Sequence, residues 1–442
     1  MTSVKAKLMS LALVGLVLMV ALWKVSAVVD DRQNYRQQAI ASVAHSLAGP
    51  QTLTGPLLHR ACTEEWDVPI SGKKFSTERR EWMLKTAPAV LKVSGTSQLE
   101  ERARGLHATQ AFTLKARLVV EWPDLMALQP VAEHKNGRVN CGQPLLMLAV
   151  SDARGIRHAA AVVAGQSLTP KPGTLLGSHT RGVHVPLALT TPLSEPFQAD
   201  ITLELVGTEQ LAIVPMGGDT QVSLTSNWPH PSFGGQFLPA EKKVTDHGFE
   251  AHWRVSALAS TAQQAVVVGE KAVDALNITF IDPGNTYALS DKATKYGLLF
   301  IGLTFLAVGL FEFMQRLRVH PVQYALVGAA MVLFFLLLVS LSEHLPFGAA
   351  YALASGGCVL LLTVYACYML HSWARGVPFG LGIAALHGML FVLLQMEQTA
   401  LLVGAVALFV VLAAVMGMTR RVDWYARLAV PPTAVNAPQT EA

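Results

Sequence analysis

The sequence predicts an α-helical membrane protein with six transmembrane helices, one N-terminal and five C-terminal, and a large antiparallel β-rich, sandwich-like domain between them. Three observations predict it. Of 442 residues only 14% are charged and 52% are hydrophobic, whereas an ordinary soluble chain is about one quarter charged. Apolar runs of hydrocarbon length sit at both ends of the chain. Between them, charges, prolines and glycines interrupt short alternating stretches, the period-two pattern of half-buried strands. A net charge of +4 is too balanced for a nucleic-acid binder. Four cysteines are too few for a disulfide-dense secreted scaffold.

The first element covers residues 1–29. Lys5 and Lys7 precede an apolar run that continues past Lys24 to Val29, enough for a span of roughly 20 residues. A cleaved signal peptide is the rival reading, with Val25-Ser26-Ala27 as its small-residue site. The length of the run favours a retained anchor. Either way the two lysines hold the start in the cytoplasm, and the chain beyond Val29 is exported. Residues 30–291 form the β-rich domain, expected to be periplasmic. Residues 111–120, 198–206, 220–225, 252–256 and 276–281 read as strands, with turns at Asn136-Gly137, Gly217-Gly218-Asp219 and Asp282-Pro283-Gly284-Asn285. Residues 31–48 are helix-like, with apolar residues recurring three and four apart, and read as a stalk.

From residue 296 the chain returns to the membrane in five apolar runs, 296–314, 322–341, 347–370, 377–395 and 400–418. Arg316 and Arg318 lie in the first connection, Arg375 in the third, and Arg420, Arg421 and Arg427 come after the last run. The second and fourth connections carry no Lys or Arg. That alternation predicts both termini inside and the β-rich domain outside. Residues 419–442 become a cytoplasmic tail, with Trp424 and Tyr425 as an interfacial anchor.

Chemistry is sparse. No Gly-x-Ser-x-Gly elbow, phosphate-binding glycine loop or His-Glu-x-x-His helix occurs, so no catalytic residue, metal ligand or cofactor is predicted. Cys62 and Cys141 fall in the exported domain, where an oxidising compartment permits a disulfide, although spacing alone does not establish one. Cys358 and Cys367 lie in a span and read as packing residues. Polar groups at the spans are costly. Glu312 suits a helix-end salt bridge with Arg316. Glu343 and His344 close one span at the outer face, and Gln395 and Glu397 flank a turn on that same face. Together they make either a ligand or proton site or a set of solvated helix ends. His387, nearer mid-span, is either a member of that site or a histidine hydrogen-bonded within the bundle. In the β-rich domain, Trp228, His230 and Phe233 lie in a proline-flanked segment. This is either a recognition loop or, with Phe237, an aromatic plug over the β-core.

Several segments resemble the CreD family of bacterial inner-membrane, cell-envelope integrity proteins. They include Arg318-Val319-His320-Pro321-Val322-Gln323-Tyr324, Leu341-Ser342-Glu343-His344 and Thr419-Arg420-Arg421-Val422-Asp423-Trp424-Tyr425. The loop 228–239, Gly248-Phe249-Glu250-Ala251-His252-Trp253 and Ser151-Asp152-Ala153-Arg154-Gly155-Ile156 are similar as well. One departure is Met396-Glu397-Gln398-Thr399, where the family pattern leads one to expect a second acidic residue and an aromatic. The resemblance implies an envelope-stress role under a two-component sensor–regulator system, linked to cell-wall-active antibiotics and colicins. It supplies no catalytic or ligand residues.

The expectation is a non-enzymatic protein of the inner membrane, in contact with membrane lipids, whose exported domain binds or scaffolds an envelope component. The alternative is a transporter or lipid-handling device with an outer-leaflet site at Glu343, His344, Gln395 and Glu397. A hydrolase requires a nucleophile and base within hydrogen-bond reach in a cleft.

Overall fold

The apolar run at the start and the stretch read as a stalk form one unbroken helix, α1 (Thr2–Ser46). No glycine or proline lies between Val29 and Ser46, and the helix stops as Gly49-Pro50 approaches. The computed structural model describes residues 2–71, 74–104, 107–188, 192–270, 273–280, 286–315, 319–396 and 400–420. The chain divides into two compact units, one comprising Met1–Tyr35 with Gly284–Ala442, the other Arg36–Pro283.

In the second unit the strands are β1 (Gln51–Ser71), β2 (Lys74–Thr86), β3 (Val90–Arg104), β4 (His107–Trp122), β5 (Arg138–Cys141) and β6 (Leu145–Val150). Then come β7 (Ile156–Val163), β8 (Gln166–Leu168), β9 (Lys171–Pro172), β10 (Gly182–Pro186), β11 (Phe197–Thr208) and β12 (Gln210–Ile213). Last are β13 (Asp219–Ser226), β14 (Pro231–Gly235), β15 (Glu241–Thr245), β16 (Gly248–Ser256), the short helix α2 (Ala262–Val268) and β17 (Leu276–Phe280).

They build two sheets. The nine-stranded one runs β14-β17-β12-β1-β6-β10-β9, with β2 and β5 paired to the far part of β1. The eight-stranded one runs β15-β16-β13-β3-β4-β11-β7-β8. One continuous core, with Leu53 and Leu57 of β1 and Val93, Leu118, Ile201 and Trp253 of the other sheet, is shared by both, so the unit is sandwich-like. Period-two burial explains the split along each strand. In β11, Ala199, Ile201, Leu203 and Leu205 face the core while Gln198 and Thr202 face out.

The expectation of a purely antiparallel domain is corrected. β1 pairs with β12 in parallel, and β3 with β13 likewise. Alternation marks which residues face the core but carries no information about the direction of a partner more than a hundred residues away.

The other unit contains α3 (Thr286–Lys295), α4 (Gly297–Gln315), α5 (Pro321–Ser342), α6 (Phe347–Met369), α7 (Trp373–Gln395) and α8 (Ala400–Thr419), besides the start of α1. Among the described residues four helices are long and apolar enough to cross a membrane, or five if α3 and α4 are one span bent by 46°. The apolar part of α8, Leu402–Gly417, is shorter. α4 follows the expected run 296–314 to within a residue at each end; α3 is an added helix ahead of it, and Tyr296 lies at the bend between the two. The Asp282-to-Asn285 turn, Arg316, Arg318, Arg421, Trp424, Tyr425 and Arg427 lie outside the described residues.

Candidate functional site

In the membrane unit the anticipated outer-face site does not assemble from its described members. Glu343 turns to Arg32, 3.3 Å away on α1. His344 and Gln395 are exposed, and Glu397 lies outside the described residues. His387 is buried; its Nδ1 is 2.9 Å from the Ile383 carbonyl, its own carbonyl accepts from the Tyr351 hydroxyl at 2.6 Å, and Phe334 meets its ring edge-on. This is a histidine bonded within the bundle, although its Nε2 has no partner.

At the other end of these helices the motif from Val319 to Tyr324 explains itself. The Val322 N–H donates to His320 Nδ1, the His320 N–H donates to Gln323 Oε1, and Pro321 occupies the first helical turn, which is a capping box. Tyr324 then donates to Glu312 Oε2 at 2.8 Å, and the Val319 N–H donates to Glu312 Oε1 at 3.2 Å. Lys7 completes the set with an ion pair to Glu312. These are the partners of Glu312 among the described residues; the expected one, Arg316, lies outside them.

In the β-rich unit, Trp228 and Phe233 are half-buried against the core together with Phe237, and Phe233 packs edge-on to Phe249 and Trp253. They pack onto the sandwich as a plug would. His230 is exposed, its carbonyl accepting from the Trp228 indole at 3.0 Å. The segment continues as β14, an edge strand entered through Pro231, a position that tolerates proline. Cys62 and Cys141 lie in register on β1 and β5 and are joined, with an S–S distance of 1.99 Å.

A second organiser was not read from the sequence. Asp152 accepts from the Gly49 and Arg154 N–H groups at 3.2 and 3.1 Å and from Arg154 Nε at 3.0 Å. Arg154 also reaches the His45 carbonyl in the last turn of α1, where a cation is favoured. The Arg154 bonds and the two N–H groups hold the Asp152 carboxyl down at about 2. The Ser151–Ile156 motif is therefore a clamp on the helix end.

Each sheet carries a polar trough on its outer face. On the eight-stranded sheet a cavity of about 590 Å³ has a floor that includes Ser94, Thr96, Ser223 and Thr225. There Ser223 Oγ lies 3.0 Å from His252 Nδ1, and His252 Nε2 lies 3.3 Å from Glu250 Oε1. This is the nucleophile–base–acid order of a hydrolase. The surroundings do not support it. His252 and Glu250 are 42% and 54% exposed, so water competes for both. Ser223 sits mid-strand on β13, paired on both edges, so the backbone N–H groups beside it are spent in the sheet and none is left to hold an oxyanion.

On the nine-stranded sheet a cavity of about 540 Å³ is lined by Thr52, Thr54, His179, Arg181, Gln210 and Asn277, among others. Cross-strand register sets Asn277 beside Ala212 and Ala212 beside Thr52, so small residues deepen the floor. Arg181 reaches the rim because Gly182 comes next. Gly182 has φ +141, and a Cβ there would lie 2.2 Å from the Leu148 carbonyl, a passage open only to glycine. His179 is kept below the usual histidine range, first by burial and then by the Lys85 charge. Among the described residues no group of three or more His, Cys, Asp or Glu is placed to hold a metal ion.

A family model described as inner membrane protein CreD matches residues 3–425. The inner membrane protein CreD of Escherichia coli strain K12 is 36% identical over 429 residues, covering 95% of this chain and 93% of that protein. Among solved structures, an M1 zinc metallopeptidase from Deinococcus radiodurans aligns at 12% identity over 44% of this chain and 42% of its own, with a TM-score of 0.23. A mutant of that enzyme with a bound peptide substrate aligns at 10% identity over 48% and 53%, also with a TM-score of 0.23. Scores that low carry nothing about the troughs. The match to the family model over nearly the whole chain is of another order: this protein belongs to the CreD family of inner membrane proteins.

Proposed function

We propose that this inner-membrane protein holds its β-rich unit in the periplasm on six spans, with both termini cytoplasmic. There it binds a component of the envelope without catalysis, and so supports envelope integrity and the response to envelope stress and antibiotics. The observation that carries the reading is the pair of polar troughs on the outer faces of a sandwich whose core is complete without them. The alternation of basic connections supports the orientation. The Cys62–Cys141 pairing supports an oxidising compartment. Membrane lipids are the partners of the exposed leucines on α5 and α6, such as Leu333 and Leu361.

Two measurements test it. A Leu258→Cys variant, at a fully exposed site, should react with a membrane-impermeant maleimide in cells whose outer membrane alone is permeabilised. Reaction only after the inner membrane is breached overturns the orientation. Ser223→Ala should restore the envelope phenotype of a deletion strain as well as the unaltered gene does. If the variant accumulates normally yet fails to complement, catalysis at Ser223 replaces binding. A transport or lipid-handling role has its own signature: Glu343→Gln would abolish complementation at unchanged abundance.

A further inference from the structure

The arginines of the β-rich unit are mostly spent. Arg79, Arg80, Arg102, Arg117, Arg138, Arg154 and Arg254 each meet a carboxylate. Among the described residues Arg60, Arg157 and Arg181 do not, and of these three Arg181 lines the trough on the nine-stranded sheet. Its Nη1 donates to the Ser151 carbonyl at 3.0 Å, which steadies the guanidinium and leaves most of its five donors free. It stands exposed at the rim of the trough on the nine-stranded sheet.

Among the described residues no acidic side chain lines that trough. Asp274, between the lining residues Val273 and Ala275, turns away to the Thr261 hydroxyl at 2.9 Å. The opposite trough is built differently: Glu204 and Glu250 share it with Lys115 and Arg117, so its charge is mixed. Around a floor of small apolar residues such as Ala212, the Arg181 trough offers neutral hydrogen-bonding groups, the hydroxyls of Thr52 and Thr54 and the amides of Gln210 and Asn277. Asn277 Oδ1 is buried with no partner, an acceptor in need of a donor.

We propose that the trough is an anion site, in which Arg181 takes the carboxylate or phosphate head of a small ligand and the Thr, Gln and Asn side chains take its neutral polar body. A planar, fixed guanidinium suits either oxyanion. An unpaired acceptor beside hydroxyl groups suits a ligand that brings its own N–H or O–H. The assignment rests on the reading of the β-rich unit as a binding module and names what one of its faces binds.

The test uses the full-length protein in detergent, with isothermal titration against three probes: inorganic phosphate, N-acetylglycylglycine and the C-terminal amide of that dipeptide. The expected result is saturable binding of phosphate or of the free dipeptide, with the amide weaker by roughly tenfold or more, the usual scale for loss of a charge-assisted hydrogen bond. Which anion binds distinguishes a phosphate source from a carboxylate source. Arg181→Gln should weaken that binding by a similar factor, and Arg254→Gln, on the other sheet, should leave it unchanged. Two results overturn the proposal: no saturable binding of either anion up to about 10 mM, the weak end of specific recognition, or binding that Arg181→Gln does not alter. The binding-module reading is judged separately. If Arg181→Gln still complements a deletion strain while the anion is no longer bound, the anion site has no part in the envelope role, and that role falls to another face.

Discussion

Each unit buries a carboxylate, and the two are solvated by different means. In the β-rich unit Glu64 is wholly buried, and its Oε1 accepts two backbone N–H groups, from Glu133 and His134, both at 2.9 Å. Its Oε2 lies 3.3 Å from the His134 ring, which stacks on Trp66. The His134 N–H is the largest influence holding this carboxyl below the usual range. In the membrane unit Glu312 is 14% exposed and, among the described residues, draws on Lys7 and the Tyr324 hydroxyl, with one backbone N–H, that of Val319 just ahead of α5. The difference arises from where amides are free. A loop has unspent N–H groups to aim at a charge, whereas helices in hydrocarbon consume theirs internally. A buried carboxylate among them must recruit side chains from neighbouring helices.

The largest effect should come from removing the membrane carboxylate. Glu312→Ala leaves the Lys7 ammonium without its partner; because that side chain is 34% exposed, the cost falls to the low end of the range for breaking a buried pair, about 3 kcal/mol. Thermal unfolding of the full-length protein in detergent reads it. Replacing both, Lys7→Met with Glu312→Met, should recover most of the loss, because two apolar side chains need no solvation. If the double variant is no more stable than the single one, the stranded charge is not what destabilises Glu312→Ala.

The β-rich carboxylate is better probed through the loop that solvates it. A Cβ on Gly137 would sit 2.2 Å from Glu64 Oε1. Glu64 has no room to swing aside without releasing both N–H groups. Gly137→Ala should therefore cost about 1–3 kcal/mol, the range for overpacking, and should expose residues 129–137 to limited proteolysis. Gly142→Ala is the control, since the added carbon would meet only the Ala61 carbonyl at 3.8 Å. Equal protease resistance in the two variants would show that the loop holds its shape without Glu64.

This contrast also explains what the sequence disclosed. Membrane segments were legible because hydrocarbon imposes one rule on every residue of a span, and α5, α6 and α7 fall close to the expected runs. Strands with one face out were legible too, as β4, β11, β13, β16 and β17 show. β1 was not: Leu57 and Leu58 are adjacent and both fully buried, which breaks alternation at the point where its pairing with β6 shifts register. Pairing direction was hidden for the same reason that Glu312's partners were. Lys7 is 305 positions away, and no local period reports a contact of that range. Arg181 of the proposed anion site looked like any surface arginine. What sets it apart is its place on a trough whose described lining carries no carboxylate, which emerges only once the strands are placed. The aromatic segment around Trp228 was visible as unusual, yet its use as a plug depended on Phe249 and Trp253 arriving from β16.

Asp152 stands between the two solvation modes, since backbone N–H groups and one guanidinium share it. Its effect should be the smallest, and pH reads it. The carboxyl is held at about 2 against an ordinary 3.8, so the folded protein binds this proton less readily than the unfolded chain does. The stabilisation is thus fully present above about pH 4, and it is lost as the pH falls toward about 2. Solvent reaches the pair, because the Arg154 side chain is 52% exposed. Screening then leaves a contribution of about 1 kcal/mol. Asp219 and Glu64 are lowered as well, so the unaltered protein alone cannot isolate Asp152. The difference in melting temperature between it and Asp152→Asn can. That difference should be constant above pH 5 or so and shrink across the window where only Asp152 distinguishes the two chains. A difference that stays flat to pH 2 would mean that Arg154 is held by the α1 carbonyl and not by charge, leaving backbone as the principal solvent in this unit.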